Sequence, residues 1–148
     1  VTEGGNRTHT VTLSDASSVP TTFAFSLASN TAAAADFGAP SFTNGVTLAA
    51  GNITVPAGVT SFDVSYPTSN DTTDEPDETV DLSVGGVAAV GTIVDNDGAP
   101  TVASVTDASV TEGGNLTHTV TLSNASSVPT STLDPTGGES GGICNTPV

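Results

Sequence analysis

Basic residues are almost missing from this chain. Arg7 is the only Lys or Arg among 148 residues, against 16 Asp and Glu, for a formal net charge of −15. A surface with no cationic face has nothing to neutralise phosphate, so nucleic acid is excluded as a partner. An anionic membrane surface repels such a chain as well. Met and Trp are absent, and Cys144 is the only cysteine. No internal disulfide can form, so this is not a disulfide scaffold. No apolar run is long enough to span a bilayer, no direct membrane insertion is expected, and no signal peptide is visible. Aromatic residues make up 4% and mostly fall at core-facing positions, which leaves no platform for stacking sugars. Helix formers are scarce, whereas Thr, Val, Ser and Gly are common, so strands are expected.

What the chain does have is a copy of itself. Residues 1–21 read VTEGGNRTHTVTLSDASSVPT, and residues 110–130 read VTEGGNLTHTVTLSNASSVPT. Only Arg7/Leu116 and Asp15/Asn124 differ, and the copies lie 109 residues apart. Near-identity at domain-sized spacing is the mark of a tandem array. The expected organisation is one repeat at 1–98, the beginning of the next at 99–130, and a disordered or aberrant tail at 131–148. The cut-off second copy and the absent initiator Met suggest a piece of something longer. In such an array, residues 101–105 open the second repeat. The first repeat has no counterpart of that strand, so residues 101–105 are expected to fold back and cap it.

Period-two alternation recurs through the first repeat. His9, Val11 and Leu13 share one face, with Thr8, Thr10 and Thr12 opposite. Phe23, Phe25 and Leu27 alternate likewise, as do Ile53 with Val55, Phe62 with Val64 and Tyr66, and Val80 with Leu82 and Val84. Turn signals separate them at Pro20, Asn44-Gly45, Pro56-Ala57-Gly58, Ser69-Asn70-Asp71 and Gly85-Gly86. Short strands with one apolar face make an antiparallel β-sandwich. Residues 88–94 are continuously apolar and are expected deep in the sandwich. Asp63 and Asp81, on polar faces, read as solubilising edge charges.

The acids gather in turns: Glu3, Asp36, the cluster Asp71, Asp74, Glu75, Asp77 and Glu78, then Asp95 and Asp97, then Asp107 and Glu112. With so little Lys or Arg to relieve the repulsion, a metal ion is the natural counter-charge. Ca²⁺ takes six to eight oxygens from carboxylates and carbonyls on flexible loops, whereas Mg²⁺ prefers to keep its waters. Transition metals want imidazole or thiolate, and His9 and His118 are one position in two copies. They read as packed or surface-strand residues. The loop at Asp95 is no EF-hand, because its twelfth position is Thr106 rather than Glu. Five N-x-Ser/Thr sequons arise readily by chance in Thr-rich sequence. Gly138-Glu139-Ser140-Gly141-Gly142 formally matches a nucleophile elbow but has no strand before it or helix after it.

Several stretches in order resemble the Calx-beta domain, in particular the extender repeats of large bacterial surface adhesins. They are Thr2-Glu3-Gly4-Gly5, the segment from Thr31-Ala32 to Asp36-Phe37, Ile53-Thr54-Val55-Pro56-Ala57-Gly58 with Phe62-Asp63-Val64, the acidic stretch from Asp74 to Leu82, and Gly91-Thr92-Ile93-Val94-Asp95-Asn96-Asp97. Ala35 stands where the family has Gly before its Asp. The resemblance implies an immunoglobulin-like sandwich of about seven strands that binds Ca²⁺ at one end. Carried over by position, Glu3, Asp36, Asp71, Glu75, Glu78, Asp95 and Asp97 would be ligands, and Asp74 joins them in the same acidic loop. Asp107 and Glu112 would serve the joint between repeats.

The expected function is therefore non-enzymatic: a calcium-binding extender module of a secreted or cell-surface adhesin. Its partners would be calcium ions and neighbouring repeats, with any host or surface ligand engaged through other domains. The alternatives are an accessory ligand- or carbohydrate-binding module of a secreted enzyme, and a Calx-beta calcium sensor.

Overall fold

The structure, a computed structural model, describes residues 1–130, and these contain strands and turns without helix. The tail at 131–148, with its Gly138–Gly142 motif and Cys144, lies outside the described residues. Nine strands build the first repeat: β1 (Asn6–Thr12), β2 (Thr21–Ser29), β3 (Ser41–Phe42), β4 (Thr47–Ala49), β5 (Asn52–Val55), β6 (Ser61–Pro67), β7 (Thr73–Asp74), β8 (Glu78–Val84) and β9 (Val87–Ile93). Three short ones follow: β10 (Val102–Val105), β11 (Val120–Leu122) and β12 (Ala125–Ser126).

Two antiparallel sheets form a β-sandwich. One has the order β1-β6-β3 and the other β4-β5-β2-β8-β9. The alternating residues do what their spacing demands. Phe62, Val64 and Tyr66 of β6, Ile53 and Val55 of β5, and Val80, Leu82 and Val84 of β8 are all buried, because successive side chains of a strand point to opposite faces. Gly85 and Gly86, both left-handed at φ 59° and 85°, make the two-residue turn that joins β8 to β9.

Three expectations are corrected. Residues 88–94 are not deep in the sandwich along their whole length: β9 is the edge of its sheet, with Val90 53% exposed, and burial is confined to Gly91 and Ile93 near its end. A continuous apolar run fits an exposed edge as readily as a core strand, and sheet order decides between them. Asp63 and Asp81 are not edge charges, since β6 and β8 are flanked on both sides. Asp63 accepts a hydrogen bond from Thr10 Oγ1 at 2.7 Å, and Asp81 accepts one from Asn30 Nδ2 at 3.2 Å. Residues 101–105 do not cap the first repeat. β10 pairs antiparallel with β11, inside the second copy. The contact between repeats runs instead through β12, which pairs parallel with β7.

One flank of the sandwich lies between the edges β1 and β9. Residues 1–3 run parallel to the end of β9: Val94 N–H donates to Val1 O at 2.8 Å, and Glu3 N–H to Val94 O at 3.0 Å. The chain then turns at Gly4-Gly5 and returns as β1. The flank is closed where Tyr66, His9 and Arg7 crowd Gly91. A Cβ there would sit 2.0 Å from Tyr66 Oη. Toward the other end the edges part and leave an apolar groove of about 360 Å³.

Candidate metal centre

The parallel pairing of residues 1–3 with β9 sets the position of the acidic site. It carries Glu3, from the start of the repeat, to the Asp95-Asn96-Asp97 loop that follows β9. One carboxylate oxygen each from Glu3, Asp95 and Asp97 lies within 4.8 Å of the others, the one group among the described residues spaced so that it could hold a metal ion. Two oxygens on opposite sides of a Ca²⁺ ion are roughly 4.6–5.2 Å apart, twice the bond length. The donor set is all oxygen, which suits calcium and disfavours the softer transition metals.

Backbone donors fix the loop. Asp95 Oδ2 accepts from Glu75 N–H at 3.0 Å, and Asp95 Oδ1 accepts from Asp97 N–H at 3.2 Å. Asn96 N–H donates to Glu3 Oε1 at 3.2 Å. Asp97 Oδ2 is different: it is buried and has no hydrogen-bond partner. A buried carboxylate oxygen with nothing donating to it is costly unless something cationic answers it.

A second acidic group sits alongside. Burial, a hydrogen bond with Asp36, and the charges of Asp36, Glu75 and Asp71 push Glu78 up to about 7. Asp36 Oδ2 also accepts from Ala33 N–H. Burial, then the charges of Asp71, Asp36, Asp95 and Glu3, raise Glu75, so that residue feels both groups. Burial raises Glu3 too, against the pull of the Asn96 and Asp71 N–H groups. Asp95 is lowered, mainly by the Glu75 N–H. Glu3, Glu75 and Glu78 therefore hold their protons more tightly than free carboxyls do.

The structure thus gathers Glu3, Asp36, Asp71, Glu75, Glu78, Asp95 and Asp97 into one electrostatic neighbourhood, in which Glu3, Asp95 and Asp97 have ligand spacing. Asp74 is used elsewhere: its Oδ2 accepts from Ser126 Oγ at 2.7 Å, at the contact between repeats. Asp107 and Glu112 are exposed in the second copy and belong to no such group. Glu112 is the counterpart of Glu3, but the described residues hold no second copy of Asp95 and Asp97 to complete it.

No protein-family model, no curated protein and no solved structure matches the chain.

Three participants are absent from the expected ligand set. Asp77 Oδ1 accepts from Asp95 N–H at 3.3 Å. Asn96 Nδ2 donates to Asn70 Oδ1 at 2.9 Å, tying the loop to the turn before β7. Asp77 stood within the acidic run, so its signal was present, but the two asparagines carry no charge to mark them. His9 stacks on Tyr66, with ring centroids 6.0 Å apart, and burial lowers its pKa. It is a packed residue, as its place on the strand's inner face leads one to expect.

Proposed function

We propose that this chain is a calcium-binding structural module, one unit of a tandem array that extends an adhesin on a cell surface or in the extracellular space. The observation that carries the reading is the buried, unpartnered Asp97 Oδ2 beside Glu3 and Asp95, at the point where one repeat ends and the next begins. Glu3, Asp95 and Asp97 would hold the ion. Asp36, Asp71, Glu75 and Glu78 would supply further charge or ligands. The ion would offset the repulsion among these acids and fix the 95–97 loop to residues 1–3, setting the angle at which the second copy leaves the first. The immunoglobulin-like, Calx-beta character implied by the resemblance supports the same reading. So does the near-identity of the two copies, which suits a spacer better than a sensor.

Thermal unfolding of the whole chain in EDTA, in millimolar CaCl₂ and in millimolar MgCl₂ tests it. Calcium is expected to raise Tm by roughly ten degrees or more, since an ion that binds only the folded state adds stability by mass action. Magnesium is expected to do far less. Asp97→Asn is expected to remove most of the calcium shift while leaving the EDTA curve in place or slightly higher. Three superimposable curves for the natural sequence would sink the proposal.

A further inference from the structure

The apolar groove between β1 and β9 lies away from the acidic cluster, toward the Val11–Leu13 end of β1. Val11 and Leu13 line one side, Val87 and Ala88 the other, and Phe23 and Val84 the floor. The odd-numbered residues around β1 turn their backbone toward β6: Leu13 N–H donates to Thr60 O, and Gly5 O accepts from Thr68 N–H, both at 2.8 Å. By alternation, Thr10 and Thr12 turn their N–H and C=O groups to the open edge.

The second copy shows what such an edge accepts. Residues 118–123 repeat residues 9–14 without a change, HTVTLS in both. There the edge is paired: Val102 lies opposite Leu122, Ser104 opposite Thr121 and Val105 opposite Val120. Thr106 N–H donates to Thr119 O, and Ser123 N–H to Thr101 O, both at 2.9 Å. Thr119 is the counterpart of Thr10. The bulge between Val102 and Ser104 puts both valines on the side of Val120 and Leu122. That side is bare in the second copy, where Val102, Val105, Val120 and Leu122 are 55, 57, 55 and 47% exposed. In the first copy the equivalent side, beside Val11 and Leu13, is the groove.

We infer that the β1–β9 groove is a seat for an added edge strand, and that its occupant is the β10 strand of a second copy of this chain. The two acceptor edges are identical in sequence, so β10 makes the same backbone bonds on either. Only the edge in the first repeat buries Val102 and Val105. A two-stranded hairpin alone is marginal in water, and adding a strand to a free sheet edge is a common mode of association. The chain's own β10 does not reach in that register. With Asp97 held beside Glu3, the five residues from there to Val102 span at most about 18 Å. Leu13 lies seven strand residues beyond Asn6, about 23 Å. The contact joins unlike surfaces of two copies, so the rotation it imposes decides between a reciprocal dimer, a ring and an open chain.

Disulfide trapping tests this in full-length chains carrying Cys144→Ser. One chain carries Thr12→Cys and the other Ser104→Cys, since Ser104 faces the counterpart of Thr12 in the second copy. On mixing and oxidation a cross-linked dimer is expected, and it should be lost when Thr8→Cys replaces Thr12→Cys. It should also be lost when Val105→Asp is added to the Ser104→Cys chain. Val105 is exposed in the single chain, so that change leaves the fold standing. The same results are expected in EDTA and in CaCl₂, which separates this proposal from the calcium reading. Equal trapping at Thr8 and Thr12, or none at either, would overturn it. So would a double variant, Thr12→Cys with Ser104→Cys, that closes within one chain at high dilution.

Discussion

Glu78 links the fold to pH. Its pKa is raised from 4.5 to about 7 in the folded chain, so the folded state holds that proton more tightly than the unfolded state does. The contribution of Glu78 to stability without calcium is then greatest below about pH 4.5, falls as pH climbs toward 7, and levels off above it. Tm in EDTA is expected to drop between pH 5 and pH 8, and Glu78→Gln should flatten that drop and raise Tm at pH 8. Calcium should reverse the trend, because it needs the carboxylates ionised and releases their protons on binding. A Glu78→Gln curve that follows the natural one across the range would show that the proton resides elsewhere. At this scale the acids were legible as a class. Their clustering in turns took in Glu3, Asp95 and Asp97 along with the other acids and did not single these three out, and Glu3 lies more than ninety residues from the other two. Their grouping was not legible from spacing alone, because it depends on one parallel bridge, Thr2 to Val94. Asp74 shows the limit: it stands in the same acidic run as Glu75, yet its side chain turns to Ser126.

Among the elements, β9 departs furthest from what the sequence suggests. Val87 to Val90 carry no polar partner to mark an outer face, so the pattern cannot say that this strand has neighbours on one side only. The β4–β5 hairpin was hidden for another reason. Its turn puts Ala50 at φ 47°, and alanine gives no warning of a left-handed position. The alternating strands β1, β2, β5, β6 and β8 were legible because each has one buried face. At the closed flank, Gly91 lets β9 pass against Tyr66 and His9. Gly91→Ala forces that contact apart and is expected to destabilise the first repeat by about 1–3 kcal/mol, lowering Tm by several degrees. An unchanged Tm would mean that Tyr66 can swing away without loss.

For the whole molecule, the repeat was the plainest message of the sequence, whereas the way its copies touch was not. Nothing in Ala125-Ser126 announces a strand, and its pairing with β7 joins segments 52 residues apart. Ser126→Ala removes the 2.7 Å bond to Asp74. Amide exchange at residues 125–128 is expected to speed up, while that of β6 and β8 stays as it was. Slow exchange retained at 125–128 would show that the backbone pairing alone holds the joint. The parallel seam between residues 1–3 and the end of β9 also decides how the module bears load. Tension applied between Val1 and Asp97 drags two parallel segments in opposite directions along their shared axis. The bonds from Val94 to Val1 and from Glu3 to Val94 then resist together, in shear, rather than opening one after another like a zipper. An ion gripping Glu3 and Asp97 would lie across that same seam, so calcium would act there as a rivet against pulling force.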